Sequence, residues 1–312
     1  MSQRKKISVI GAGNIGGELA MLIARRELGD CVLLDIPEKA DFARGKALDI
    51  MQTGALDGFD GNVHGTSDYK DITGSDVVIV TAGVPRKPGM SRDDLLTINL
   101  KIIRAVAAGI KENAPKAFVI VISNPLDAMV YEMKKVTGFD PKMVVGMAGV
   151  LDSARMQCFL AMACKCSTKD VRAMVLGGHG DTMVPALGYC TVNGIPVKQL
   201  LPADVIDGIV KRTAGGGGEI VKLMGTSAYY APAAGAVEMA EAFLRDEKRI
   251  LACAAYLNGE YGYKDLYIGV PVVIGGGGAE KDVVIELSTD EKAMLDKSAE
   301  AVRGLITDSA KL

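Results

Sequence analysis

Only two histidines occur among the 312 residues, so few side chains can move a proton near neutral pH. His64 sits beside Gly65 in a short apolar run and reads as a structural residue. His179 sits in Leu176-Gly177-Gly178-His179-Gly180-Asp181, a glycine-flanked turn after an apolar run. Glycines there clear space for an imidazole to meet a ligand, although a capping or loop-stabilising histidine would be flanked in the same way. An imidazole can take and return a proton, as a reversible reaction requires. Asp152 and Arg155 lie three apart where a helix opens, hence on one helix face. They are either an intrahelical surface pair or groups turned toward a site. The stretch Gly83-Val84-Pro85-Arg86-Lys87-Pro88-Gly89-Met90-Ser91-Arg92 gathers three cations, two prolines and glycine. That is either a solvated turn or an anion clamp able to close.

A second cluster binds rather than reacts. Gly11-Ala12-Gly13-Asn14-Ile15-Gly16 is a G-x-G-x-x-G run between the apolar stretch Ile7–Ile10 and a helical pattern, Ile15–Leu28. The first glycine allows a tight turn, the second lets backbone approach a pyrophosphate, and the third permits close packing of helix on strand. The helix then offers free N–H groups and the positive end of its dipole to phosphate. Asp35 follows Gly16 by 19 residues, at the end of the strand Cys31–Asp35, where a carboxylate accepts ribose hydroxyls. It would repel a 2′-phosphate, and no arginine follows before Arg44, so NAD is expected rather than NADP.

The elements that must position these groups follow a repeating pattern. Strands are expected at Ile7–Ile10, Cys31–Asp35, Val63–Thr66, Val77–Ala82, Phe118–Ile122 and Met143–Met147. Helices are expected at Ile15–Leu28, Ala43–Gln52, Asp93–Asn113, Leu126–Thr137 and from about Leu151. Continuous β-branched runs alternating with helices indicate a parallel, doubly wound sheet buried on both faces. In its strand order the first and fourth strands are neighbours at the switch point, so the loop Gly83–Ser91 should overhang the same crevice as the glycine run. After Gly149 the pattern changes. Strands are expected at Val171–Leu176, Val184–Thr191, Val270–Ile274 and Val283–Leu287, with a hairpin turn at Asn193-Gly194. Helices are expected at Ala203–Met224 and Asp290–Leu312; the glycine tracts 215–218 and 275–278 read as loops or a helix opening. The fold class is therefore α/β: a Rossmann-type doubly wound parallel sheet over 1–148, then a mixed α+β substrate domain over 149–312.

Composition narrows the function classes. There are 36 basic and 38 acidic residues, a net charge of −2, with no basic stripe and no repeat, which argues against nucleic acid as a partner. The apolar runs are far too short for a membrane span, and the basic start Met1–Lys6 leads into a run that stops at glycine, unlike a signal peptide. Six scattered cysteines form no C-x-x-C pair, so buried reduced thiols, no metal and a cytoplasmic location are expected.

Seven segments together resemble the lactate/malate dehydrogenase family: IGAGNIGG at 10–17, LLDI at 33–36, TAGVPRKPGMSRDDLL at 81–96, SNPLDAM at 123–129, GVLDSAR at 149–155, GGHGDTMVP at 177–185 and SAYYAPAA at 227–234. They span nearly the whole chain in the family's order. The resemblance implies an NAD-dependent oxidoreductase with His179 as the catalytic acid/base and Asp152 orienting its imidazole. It implies that Arg155 binds the C1 carboxylate, that Arg92 polarises the reacting carbonyl, and that Asn124 stands between cofactor and substrate. Cofactor contacts are implied at Gly11, Ala12, Gly13, Asn14, Ile15, Gly16, Asp35, Asn99, Ile122, Ser123 and Asn124, and a cis Asn124–Pro125 bond is a family trait. One residue fewer near Thr226-Ser227 leaves open which hydroxyl reaches substrate. Arg86 stands where lactate enzymes carry glutamine. A second cation suits a four-carbon dicarboxylate, malate or oxaloacetate, better than a methyl-ended substrate. The alternatives are lactate or another 2-hydroxyacid, or a non-catalytic NAD-binding sensor. A homotetramer is implied, with a dimer next.

Overall fold

The computed structural model describes residues 4–85 and 92–312. Six parallel strands, β1 (Lys6–Ile10), β2 (Asp30–Leu34), β3 (Val63–Thr66), β4 (Val77–Val80), β5 (Phe118–Val121) and β6 (Val144–Gly146), lie in the order 3-2-1-4-5-6. Between them run α1 (Asn14–Arg25), α2 (Ala40–Asp57), α3 (Arg92–Asn113) and α4 (Leu126–Thr137). All four residues of β4 and all four of β5 are buried, because helices cover both faces of the sheet. Alternate side chains serve opposite layers. Val77, Ile79, Phe118 and Ile120 join the core under α1, while Val78, Val80, Val119 and Val121 join the core under α3 and α4. β1 pairs with β2 on one side and β4 on the other, Ile10 lying opposite both Leu34 and Val80. The chain therefore reverses its direction of travel across the sheet at the β1/β4 seam, which opens a crevice at the strand ends.

The later elements are α5 (Gly149–Cys164), the short strands β7 (Val171–Arg172), β8 (Val175–Leu176), β9 (Val184–Pro185), β10 (Thr191–Val192) and β11 (Ile195–Pro196), then α6 (Val197–Leu200), α7 (Ala203–Met224) and α8 (Tyr230–Leu244). After them come β12 (Arg249–Asn258), β13 (Lys264–Gly275), β14 (Gly278–Asp282) and α9 (Thr289–Ala310). The hairpin at Asn193-Gly194 forms as expected, both residues having positive φ, 47° and 82°. The strands expected at Val171–Leu176 and Val184–Thr191 each break into shorter pieces. Residues 283–287 are not a strand; β14 ends just before them.

The largest difference lies in the sheet itself. β12 pairs antiparallel with β6 through Ala254 and Gly146, and β13 and β14 continue the sheet to nine strands. Nothing in the pattern of RILACAAYLN marks β12, because its small residues have weak strand preference. Its assignment comes from burial between two neighbours, a tertiary effect that overrides propensity. The glycine tract 215–218 is neither a loop nor a helix start: it lies in the interior of α7.

Candidate active site

The dinucleotide crevice is built on three glycines with different reasons. Gly11 has φ of 108°, and a Cβ there would stand 2.8 Å from Thr81 Oγ1. A Cβ on Gly16 would meet the Gly11 carbonyl at 1.8 Å. Both are required by protein atoms. Gly13 is not: nothing lies within 4 Å of its Cβ position, and as N-cap of α1 it carries no capping side chain. No side chain caps the first N–H groups of α1, which fits their reception of the diphosphate of a dinucleotide. Asp35 completes the turn, its two carboxylate oxygens accepting from Ala12 N at 2.7 Å and Ile36 N at 2.8 Å. The same carboxylate retains lone pairs for ribose hydroxyls. Ala12 is buried and Ile15 half-buried on the core, while Gly13 and Asn14 are exposed.

The neighbouring loops are tied by buried amide and hydroxyl groups. Asn99, 2% exposed, accepts from Val84 N and donates Nδ2 to Val84 O and Asn124 O at 3.1 and 2.7 Å. Ser123 donates to Ala82 O at 2.6 Å, and Ile122 is buried. The side chains of Asn99 and Ser123 are thus engaged with backbone, and they hold the loop after β4 to the loop after β5. Asn124 is exposed beside them, and the Asn124–Pro125 bond is cis. Arg86 and the side chain of Arg92 lie outside the described residues. His64 lies outside the crevice, on β3, with Nε2 at 3.5 Å from Asp71. Thr226 and Ser227 are both exposed in the segment between α7 and α8. All six cysteines are free; Cys31, Cys190 and Cys253 are buried, whereas Cys158, Cys164 and Cys166 are partly exposed, contrary to expectation for these three.

The reactive cluster joins the start of α5 to the turn after β8. Asp152, 2% exposed in the first turn of α5, accepts from Arg155 Nη1 at 3.1 Å and pairs with His179 Nδ1 at 2.9 Å. The positive end of α5 favours a carboxylate there. Arg155 and Asp152 are therefore no surface pair: their side chains are 13% and 2% exposed. Burial is the largest single influence on the His179 imidazole and draws its pKa down. Asp152, with a smaller push from Asp127, outweighs burial and the opposing Arg155 charge, so the net pKa lies above the ordinary histidine value. Arg155 Nε is buried without a partner, a donor left for an anion. A carboxylate received there would meet a planar fork.

Three contributors escape the sequence reading. Asp127, within SNPLDAM at the start of α4, accepts from the His179 backbone N at 3.1 Å and is pushed up to about 6 by burial. Ser298 of α9 accepts from Gly178 N at 2.8 Å. Gly178 is needed for this packing, since a Cβ would stand 2.9 Å from Val302 and 3.3 Å from Asp127. The flanking glycine therefore serves the fold of the turn more than clearance for a ligand. The third is the α7 tract: a Cβ on Gly216 would stand 3.2 Å from Arg155 Cδ, and one on Gly217 3.8 Å from Nη2. Glycine at 216 keeps the Arg155 side chain uncrowded, whereas a Cβ at 217 would make only an ordinary contact. The tract was visible in the sequence, but its facing partner was not.

A doubly wound nucleotide crevice beside an imidazole–carboxylate–guanidinium chain defines an NAD-binding oxidoreductase of 2-hydroxyacid type. The chain matches the lactate/malate dehydrogenase NAD binding domain over residues 5–146 and the lactate/malate dehydrogenase α/β C-terminal domain over 149–312. It belongs to the lactate/malate dehydrogenase family. It is 63% identical to the malate dehydrogenase of Sorangium cellulosum, covering 100% of this chain and 99% of that one. It is 55% identical to the malate dehydrogenase of Myxococcus xanthus, covering 99% and 98%. Its fold matches the Cryptosporidium parvum malate dehydrogenase with a TM-score of 0.96 at 48% identity, over 99% and 100% of the two chains. The lactate dehydrogenase of the same organism, solved with lactic acid and nicotinamide adenine dinucleotide, also gives 0.96, at 43% identity and full coverage of both. Backbone shape thus does not separate the two substrates.

Proposed function

We propose that the chain interconverts malate and oxaloacetate, with the hydrogen-bonded chain His179–Asp152–Arg155, centred on a buried carboxylate, as the observation that carries the chemistry. NAD, when bound, supplies the hydride acceptor for C2 of the hydroxyacid. Asp152 fixes Nδ1, leaving Nε2 of His179 to take the hydroxyl proton in oxidation and return it in reduction. The carboxylate also favours the imidazolium, in keeping with the raised pKa. Arg155 holds the C1 carboxylate through donors that include the unpartnered Nε. Arg92 polarises the carbonyl, and Arg86 receives the distal carboxylate. Gly11 through Gly16, with Asp35, hold the diphosphate and adenosine ribose; Asn99, Ile122, Ser123 and Asn124 shape the nicotinamide end.

Two facts support the dicarboxylate over lactate: arginine at position 86, and relatives at 63% and 55% identity named malate dehydrogenases. An NADH-absorbance assay with oxaloacetate and with pyruvate, repeated with NADPH, tests the reading. Turnover with NADH and oxaloacetate, far above pyruvate or NADPH, is expected; equal rates with both keto acids refute the substrate, and NADH binding without turnover favours a sensor. We further propose a cofactor domain at 1–148, a substrate domain at 149–312, a cytoplasmic location and a homotetramer, with a dimer next, for which light scattering is the test. Among the described residues no helix is long and apolar enough to cross a membrane.

A further inference from the structure

One cation beside the dinucleotide turn has no part in the roles above. Lys46 projects from α2 and donates Nζ to the Gly13 carbonyl at 2.7 Å. That carbonyl already accepts the Gly17 N–H at 3.0 Å, so it receives two donors. The lysine stem runs over Gly17, where a Cβ would come within 3.0 Å of Nζ. Glycine at 17, beyond the three of the fingerprint, leaves the stem uncrowded where a Cβ would make it shift by a few tenths of an ångström. Phe42, one turn earlier on α2, lies with its ring centroid 4.9 Å from Nζ and braces the ammonium.

This placement sets a cation beside the positive end of a helix. The first turn of α1 is the positive end of a helix and contains no acidic residue. A cation set beside that end is repelled by the dipole. Lys46 is half-buried, and this burial draws its pKa below the ordinary lysine value, against the pull of Asp35. Among the described residues it forms no ion pair within 4.0 Å, its hydrogen bond going instead to a neutral carbonyl. A half-buried ammonium beside a helix start that no side chain caps makes sense where an anion is to be received.

We propose that Lys46 is a positioning residue for the cofactor: it pins the Gly13 carbonyl so that the α1 turn is preset for the diphosphate, and it adds positive charge to that turn. The inference rests on the dinucleotide-binding reading of the crevice, which binding of NADH to the native chain tests separately. The pin to Gly13 exists without ligand, so its removal weakens diphosphate binding only through the lost charge and the less well preset turn; about a tenfold loss, ~1.4 kcal/mol, is expected.

The experiment compares ligands with and without the diphosphate on the native chain, Lys46→Met and Lys46→Arg. Dissociation constants of ADP-ribose and adenosine are measured by displacement of NADH fluorescence, with thermal unfolding as the folding control. Lys46→Met should bind ADP-ribose about tenfold or more weakly and adenosine within about twofold of native, and Lys46→Arg should recover most of the loss. The ADP-ribose affinity of Lys46→Met should also fall less steeply with salt than that of the native chain, since one cation is gone. Unchanged ADP-ribose binding, or equal losses for both ligands, overturns the proposal. Should Lys46→Met unfold, Lys46→Gln decides by the same ratio of ligand losses.

Discussion

Replacing Asp152 by asparagine isolates the charge that the site depends on. The native carboxylate sits 2.9 Å from His179 Nδ1 and 3.1 Å from Arg155 Nη1, at 2% exposure. Asparagine keeps the volume but leaves imidazolium and guanidinium as two largely buried cations with no anion between them. Removing one member of a buried pair costs about 3–5 kcal/mol. The site relieves part of that by giving up the imidazole proton, each pKa unit corresponding to about 1.36 kcal/mol. Oxaloacetate reduction requires the imidazolium, so its kcat/KM should fall roughly a hundred- to a few thousand-fold at neutral pH. The sign with pH is fixed. Asp152 raises the His179 pKa, so its loss moves the basic limb of kcat/KM to lower pH, and the deficit should be smaller at pH 6 than at pH 8. The assay is NADH absorbance across that range, since kcat/KM reports the free-enzyme pKa. A basic limb that stays in place, with a loss below about tenfold, refutes the reasoning.

Three further outcomes are expected. Arg86→Gln should shift selectivity from oxaloacetate toward pyruvate by about 2–5 kcal/mol, roughly thirty-fold to several thousand-fold, in steady-state kinetics with both keto acids. Asp127→Asn should change how stability varies with pH. The folded carboxyl, pushed up to about 6 by burial, holds its proton more tightly than the unfolded one, so its contribution is present below pH 4 and lost as pH rises through 6. Relative to native, the variant should therefore gain up to about 3 kcal/mol between pH 4 and pH 7.5 in urea unfolding, a constant difference being the contrary result. Gly216→Ala gains up to about 1 kcal/mol of helix propensity, offset by the tight contact of its buried Cβ, so Tm should stay within about two degrees of native. Its Cβ, 3.2 Å from Arg155 Cδ, should at the same time raise KM for oxaloacetate severalfold, as seen in melting and initial rates on one preparation.

What the amino-acid order determined on its own is local and periodic. The glycine run, the acidic residue 19 positions on, the buried β-branched strands and the Asn-Gly turn each encode their geometry within a few residues, and each forms as expected. The elements that place His179 on Asp152 are 27 residues apart in sequence, yet both lie in recognisable segments. Tertiary structure alone decided the rest. β12 is a strand because β6 and β13 flank it, not because Ala252, Cys253, Ala254 and Ala255 prefer one. Asp127 and Ser298 hold the histidine turn from two helices, 52 and 120 residues away along the chain from the backbone amides they bind. The glycines of α7 face Arg155 across a helix contact that no local pattern records. Short-range preferences are written residue by residue, whereas burial and partner choice depend on which distant surfaces meet, and only the folded chain brings those together.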